Sequence, residues 1–144
     1  MIRQANEKDL PALAQLACRL WPHHDPADMR EEFAEMMENP EAACFLACVQ
    51  GEAVGFAQCQ LRHDYVEGTG SSPVGYLEGI YVEAGYRQKG FARLLLGACE
   101  TWARGKGCTE FASDCELNHG QSLKFHLKVG FEEANRIICF TKKL

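Results

Sequence analysis

The sequence predicts an α/β (α+β) domain with a mixed, mostly antiparallel central sheet flanked by about four helices. Three observations carry this. Apolar residues recur at helical spacing in several separate stretches, the middle of the chain holds short β-branched or aromatic runs joined by turn residues, and the second half alternates strand, helix, strand, helix, strand. At 144 residues the chain fits one domain, 1–144, large enough to bury roughly 70% of its unfolded surface.

Taken in order, Ile2 to Gln4 opens as a short strand. Asn6 then caps a helix whose apolar positions are Leu10, Leu13, Leu16, Ala17 and Leu20, and Trp21-Pro22 stops it. A second helix runs from about Asp28 to Glu38 with Met29, Phe33, Met36 and Met37 inward, ending at Asn39-Pro40. "ACFLACV" and "AVGFAQCQL", joined through Gln50-Gly51-Glu52, read as a hairpin. The Gly, Ser and Pro content of "RHDYVEGTGSSPVG" makes it a long loop, of a length that is commonly functional. "YLEGIYV" is a fourth strand. Residues 89–104 form a helix with Phe91, Leu94, Leu95, Ala98, Cys99 and Trp102 on one stripe, terminated by Gly105 and Gly107. "TEFASD" is a fifth strand, Gln121 to Val129 a helix closed by Gly130, and "RIICFTKK" a last strand.

The composition excludes several classes. A formal net charge of -5 argues against nucleic acid or an anionic membrane as the main partner. The N-terminus lacks the pattern of a signal peptide, and nowhere do about 18 uncharged apolar residues follow one another, so a cytoplasmic location is expected. The eight cysteines form no CxxC pair; in a reducing compartment they read as small buried hydrophobes, and neither a metal site nor an acyl-cysteine is expected. Charge is uneven, with Asp25, Asp28, Glu31, Glu32, Glu35, Glu38 and Glu41 opposed only by Arg30. That segment reads either as a solvated helix face or as a field that draws in a cationic substrate.

Chemistry concentrates in "VEAGYRQKGFARLLL", where a strand meets a helix through a basic turn. The unpaired N–H groups of a helix N-terminus, with Gly90 and small Ala92 allowing close approach and Arg87 and Lys89 adding charge, make an anion cradle. The plainer reading is a basic turn before an amphipathic helix. Neither GxxxxGK[ST] nor an early GxGxxG is present, so the usual nucleotide motifs do not apply.

With "LEGIYV" before it and "SDCELNHGQSLKFHLKVGFEE" after it, this stretch resembles the GNAT acetyltransferase superfamily over almost the whole chain. The turn signature Arg/Gln-x-x-Gly-x-Gly/Ala is matched by Arg87, Gly90 and Ala92, and "VGF" at 129–131 is similar to the superfamily's closing Leu-Gly-Phe. The blocks "LWPHH", "RHDYVEGTGSSPVGYLEGIYV" and "ASD" resemble most closely the type I aminoglycoside 6'-N-acetyltransferases. The resemblance implies acetyl-CoA as co-substrate, its pyrophosphate gripped by Arg87, Gln88, Lys89, Gly90, Phe91 and Ala92 and its pantetheine arm held by the backbone of Ile80, Tyr81 and Val82. It implies an aminoglycoside pocket of Trp21, His24, Tyr65, Glu78 and Asp114, and a homodimer.

Those residue types suit a polycationic sugar, which needs carboxylates and flat faces. Transfer from a thioester to an amine by direct attack requires loss of a proton from the ammonium; Glu78, directly or through a water, is the candidate to take it, with cation binding alone as the alternative. Asp114 stands with Glu78 as a candidate catalytic carboxylate and is read foremost as a substrate anchor, and the Ile80 N–H is a donor to the developing oxyanion. Where many members of the superfamily place a tyrosine as general acid, the aligned residue is His126, to be read as acid or as cofactor packing. His119 is placed to touch the pantetheine or phosphates, with a plain loop histidine as the alternative. The alternatives in function are acetylation of another amine, such as a polyamine or peptide N-terminus, and a non-catalytic acyl-CoA-binding module.

Overall fold

Polar caps set where the helices begin. In a computed structural model, which describes residues 1–144, the Asn6 side chain accepts from the Lys8 N–H at 3.0 Å while the Asp9 carboxylate accepts from the Asn6 N–H at 2.8 Å. This reciprocal cap launches one 3₁₀ turn and then helix α1, Leu10–Leu20. Asp25 accepts from the Ala27 N–H at 3.1 Å and Pro26 fills the first helical position, so α2, Pro26–Glu38, starts ahead of its apolar stripe.

The strands are β1 (Ile2–Gln4), β2 (Ala42–Val49), β3 (Glu52–Arg62), β4 (Val74–Val82) and β5 (Phe111–Ser113); α3 spans Phe91–Gly105 and α4 Gly120–Lys128. They form one five-stranded sheet in the order β1-β2-β3-β4-β5, antiparallel except for the parallel pair β4–β5. Gln50 and Gly51 both have positive φ, 51° and 83°, the backbone that a tight hairpin between β2 and β3 requires.

The sheet is covered on both faces, which explains why β2 is an unbroken apolar run. Cys44, Leu46 and Cys48 pack with Phe56 against Leu13, Leu16, Met29 and Phe33 of α1 and α2. Ala43, Phe45 and Ala47 pack on the other side with Leu95, Leu96 and Cys99 of α3. Burial pushes the Cys44 thiol up, as do the Cys59 neighbour and burial for Cys99, so these cysteines serve as packing atoms.

One irregularity positions the rest. Gln58 pairs with Gly79 but Cys59 with Leu77, leaving Glu78 as the extra residue of a β-bulge in β4. Before the bulge Leu77 faces α3; after it Ile80 and Val82 do, while Tyr81 packs toward α1.

The expected strand over 136–143 is absent. Residues 131–144 form neither strand nor helix, and Ile137, Ile138 and Phe140 are 70%, 80% and 86% exposed. The segment has strand-forming residues but no strand of its own chain to pair with. No helix is long and apolar enough to cross a membrane.

Candidate active site

The turn between β4 and α3 gathers unpaired backbone N–H groups at the start of a helix. Gln88 and Gly90 take positive φ of 61° and 87° on either side of Lys89, a curl that gathers successive N–H groups. Gly90 is the N-cap of α3 and supplies no side-chain cap, and from Gln88 to Arg93 no backbone N–H finds a backbone acceptor. A side chain at Gly90 would meet nothing within 4 Å, so the concave side stands open to a ligand. These features fit the diphosphate of acetyl-CoA: bare donors at the positive end of a helix dipole, with Lys89 beside them. Arg87 is turned the other way. Its Nε donates to the Val82 carbonyl at 2.7 Å, which staples the turn to the end of β4.

Beside this turn, β4 has an unpaired edge. β5 pairs only with Gly75–Leu77, so from Glu78 onward nothing covers that side of β4. The Glu83 N–H bonds to Val54 on the β3 side at 2.8 Å and the Gly75 N–H to Glu110 on the β5 side at 3.1 Å. Alternation with the one-residue shift at Glu78 turns the N–H groups of Ile80 and Val82 to the open edge. Tyr81, between them, lends its ring to α1 and the guanidinium of Arg87, whose carbon lies 5.4 Å from the ring centroid.

On the α1–α2 face lies a cleft of about 310 Å³ bordered by Trp21, His24, Met29, Glu32, Gln58, Gln60 and Glu78. Trp21 is fixed edge-on against Phe56 at 6.1 Å and is tilted to His24 at 6.3 Å. Its ring lies over Gly79, where any Cβ would come within 2.6 Å of the indole. Glu78 accepts from Arg62 through Nε at 3.1 Å and Nη2 at 2.8 and 3.0 Å. The same guanidinium sits 3.4 Å from the centroid of Tyr76. The Tyr76 hydroxyl donates to Asp114, and burial together with that bond pushes its own pKa up.

The structure thus brings Trp21, His24 and Glu78 into one cleft and ties Asp114 to it through Tyr76. Tyr65 stands apart: it is 76% exposed, and its hydroxyl lies 3.4 Å from the Gly68 N–H as acceptor. His126 has both ring nitrogens engaged, Nδ1 with the Ser122 carbonyl at 2.7 Å and Nε2 with Ser113 Oγ at 2.8 Å. Its ring is tilted on Phe131 at 5.1 Å. His119 is exposed at the N-terminal end of α4.

Sequence reasoning missed Arg62, Tyr76, Gln58, Gln60 and the cleft-facing role of Glu32. A signal existed for the first four: Gln58, Gln60 and Arg62 alternate along β3, and Tyr76 opposes Gln60. A polar stripe of period two inside an otherwise apolar sheet marks a wetted face.

Residues 10–131 match the family model "Acetyltransferase (GNAT) family". The aminoglycoside N(6')-acetyltransferase type 1 of Stenotrophomonas maltophilia is 47% identical, covering 99% of this chain and 93% of that protein; its counterpart from Salmonella enteritidis is 41% identical, covering 99% and 98%. Among solved structures, AAC(6')-Iy with the bisubstrate analog CoA-S-monomethyl-acetylneamine superposes with a TM-score of 0.96 at 40% identity, covering 100% of this chain and 98% of that one. The apo structure of AAC(6')-IG from Acinetobacter haemolyticus gives 0.95 at 35% identity, covering 100% and 99%. An amide-lined turn opening onto a splayed strand edge, together with full-length similarity at these levels, places the chain: it belongs to the acetyltransferase (GNAT) family, in the branch of the type 1 aminoglycoside N(6')-acetyltransferases.

Proposed function

We propose that the whole chain acts as one domain that transfers acetyl from acetyl-CoA to the 6'-amino group of aminoglycosides, and so confers resistance to them. The observation that carries the reading is the meeting of two sites on β4: an acidic, Trp21-walled cleft at Glu78 and, two residues on, an open backbone edge leading to the amide cradle at Gln88–Arg93. The names of the relatives support the substrate, and the analog bound to AAC(6')-Iy supports a single path joining CoA to an aminoglycoside.

Acetyl-CoA supplies the activated acyl group. In this reading the N–H groups from Gln88 to Ala92 hold its diphosphate, assisted by Lys89, while the backbone of Ile80 to Val82 holds the pantetheine arm and His119 lies at the rim. Trp21 and His24 give the sugar rings surfaces to rest on, without Tyr65, and Glu32 and Asp114 receive ammonium groups. A water on Glu78 takes the proton shed by the reacting amine. The nitrogen lone pair then attacks the thioester carbon, the Ile80 N–H donates to the oxyanion, and the C–S bond breaks to release the thiolate, which takes up the second proton the nitrogen loses as the amide forms. His126, its nitrogens already engaged, packs the end of β5 against α4.

The functional unit in this reading is a homodimer in the cytosol, where eight unpaired thiols stay reduced. The exposed apolar run Ile137–Phe140 within segment 132–144 supports the dimer, as does the groove beside the short edge strand β5, lined by Ala103, Phe111 and Phe131. A chain ending at Phe131 is expected to sediment as a monomer; a dimer of that chain refutes the part given to this segment in the dimer.

The activity test is thiol release from acetyl-CoA with kanamycin or tobramycin. Turnover of some other amine with none for any 6'-amino aminoglycoside refutes the substrate assignment.

A further inference from the structure

The acidic cleft holds one cation of the protein's own. Arg62 ends β3 on the same face as Gln58 and Gln60, stacks on Tyr76 and grips both oxygens of Glu78. Partial burial opposes its charge, but the hydrogen bonds and field of Glu78 outweigh burial and raise its pKa. The titratable groups facing this point come from every neighbouring element: His24 after α1, Glu32 of α2, Arg62 of β3, Tyr76 and Glu78 of β4, and Asp114 after β5.

Their charges do not count equally. The Arg62–Glu78 pair sums to zero, whereas neither Glu32 nor Asp114 is salt-bridged to a base. An ammonium beside an unpaired carboxylate is held protonated and cannot attack; one beside a neutralised carboxylate gives up its proton more easily. We propose that Arg62 is a specificity-determining residue: by cancelling Glu78 it creates one charge-neutral spot in an acidic cleft and thereby selects which amine of a polyamine substrate reacts. The groups at Glu32 and Asp114 remain charged and serve as anchors, while the proton of the selected amine leaves to cleft water.

The inference rests on the aminoglycoside reading above. It is tested with Arg62→Gln, which removes the charge, and Arg62→Lys, which keeps the charge without the fork, in two measurements: calorimetric kanamycin binding to the protein without CoA, and kcat as a function of pH. Arg62→Gln is expected to bind kanamycin about tenfold more tightly, with the rise of kcat moved up by about one pH unit and the plateau recovered at high pH. Arg62→Lys returns both toward wild type. Unchanged or weaker kanamycin binding by a folded Arg62→Gln, an unmoved pH profile in that variant, or an Arg62→Lys that returns neither measurement toward wild type, overturns the inference. Wild-type protein that does not turn over kanamycin sinks the substrate reading instead, so the two failures are told apart.

Discussion

Gly79→Ala tests how the cleft wall is held. The added Cβ would lie 2.6 and 2.7 Å from two carbons of the Trp21 indole and 3.2 Å from a Leu20 methyl. Carbon atoms rest about 3.5–4.0 Å apart, so the ring must retreat by about 1 Å. It cannot retreat freely, because its other side meets Phe56 edge-on at 6.1 Å. Overpacking of this kind costs about 1–3 kcal/mol of stability. A displacement of about 1 Å in a positioning wall lowers turnover of a bound substrate by up to about 10²-fold. The expectation is therefore a drop of about tenfold to a hundredfold in kcat/KM for kanamycin, with KM for acetyl-CoA unchanged because the cradle lies beyond the end of β4. Thiol-release kinetics measure both constants, and indole fluorescence reports whether the ring has moved. A shifted fluorescence with unchanged kcat/KM for kanamycin refutes the role given to Trp21.

Gly90→Asp is expected to weaken CoA binding at least about tenfold by calorimetry, since it places a carboxylate at the cradle and forces a side chain into positive φ. Its melting temperature should fall only slightly, because the Cβ meets no neighbour; a CoA affinity equal to wild type contradicts the cradle. Phe33→Ala removes a 1%-exposed ring that packs edge-on against Phe56 at 6.0 Å, and should cost about 3–5 kcal/mol in urea unfolding; a loss below about 1 kcal/mol contradicts its place in the core. Hydrogen bonds from Arg3, opposed by burial and helped by the Asn6 N–H, hold the Asp9 carboxyl below the ordinary carboxylate range. A lowered folded-state value means stability that is fully present above the unfolded value of about 3.9 and lost as pH falls below that and through the lower folded value. The stability gap between wild type and Asp9→Asn should thus be constant near neutrality and narrow below about pH 4; a gap unaltered in acid refutes the linkage.

The sequence displayed what local chemistry decides. Helical stripes, the Gln50-Gly51 hairpin and the basic turn at Arg87–Ala92 all depend on residues close in the chain, and their elements stand within a few positions of where the pattern puts them. The turn of unpaired N–H groups was legible because a strand end, a glycine and a helix start are written consecutively. The bulge at Glu78 was not, since a register shift exists only relative to β3. Arg62 was hidden for the same reason: it lies 16 positions from Glu78, and pairing of β3 with β4 is what brings them together. The strand expected over 136–143 shows the opposite limit, in that β-forming composition names a partner-seeking segment without supplying the partner.

The odd residue in β4 has an implication for how such a protein can change. A half-turn in phase, introduced at one position, puts the Glu78 carboxyl on the Trp21 cleft and turns the next N–H groups to the open strand edge. Drug preference can drift through the side chains of the wall, one substitution at a time. The length of the strand cannot drift, because deleting a single codon there would misdirect recognition and chemistry together.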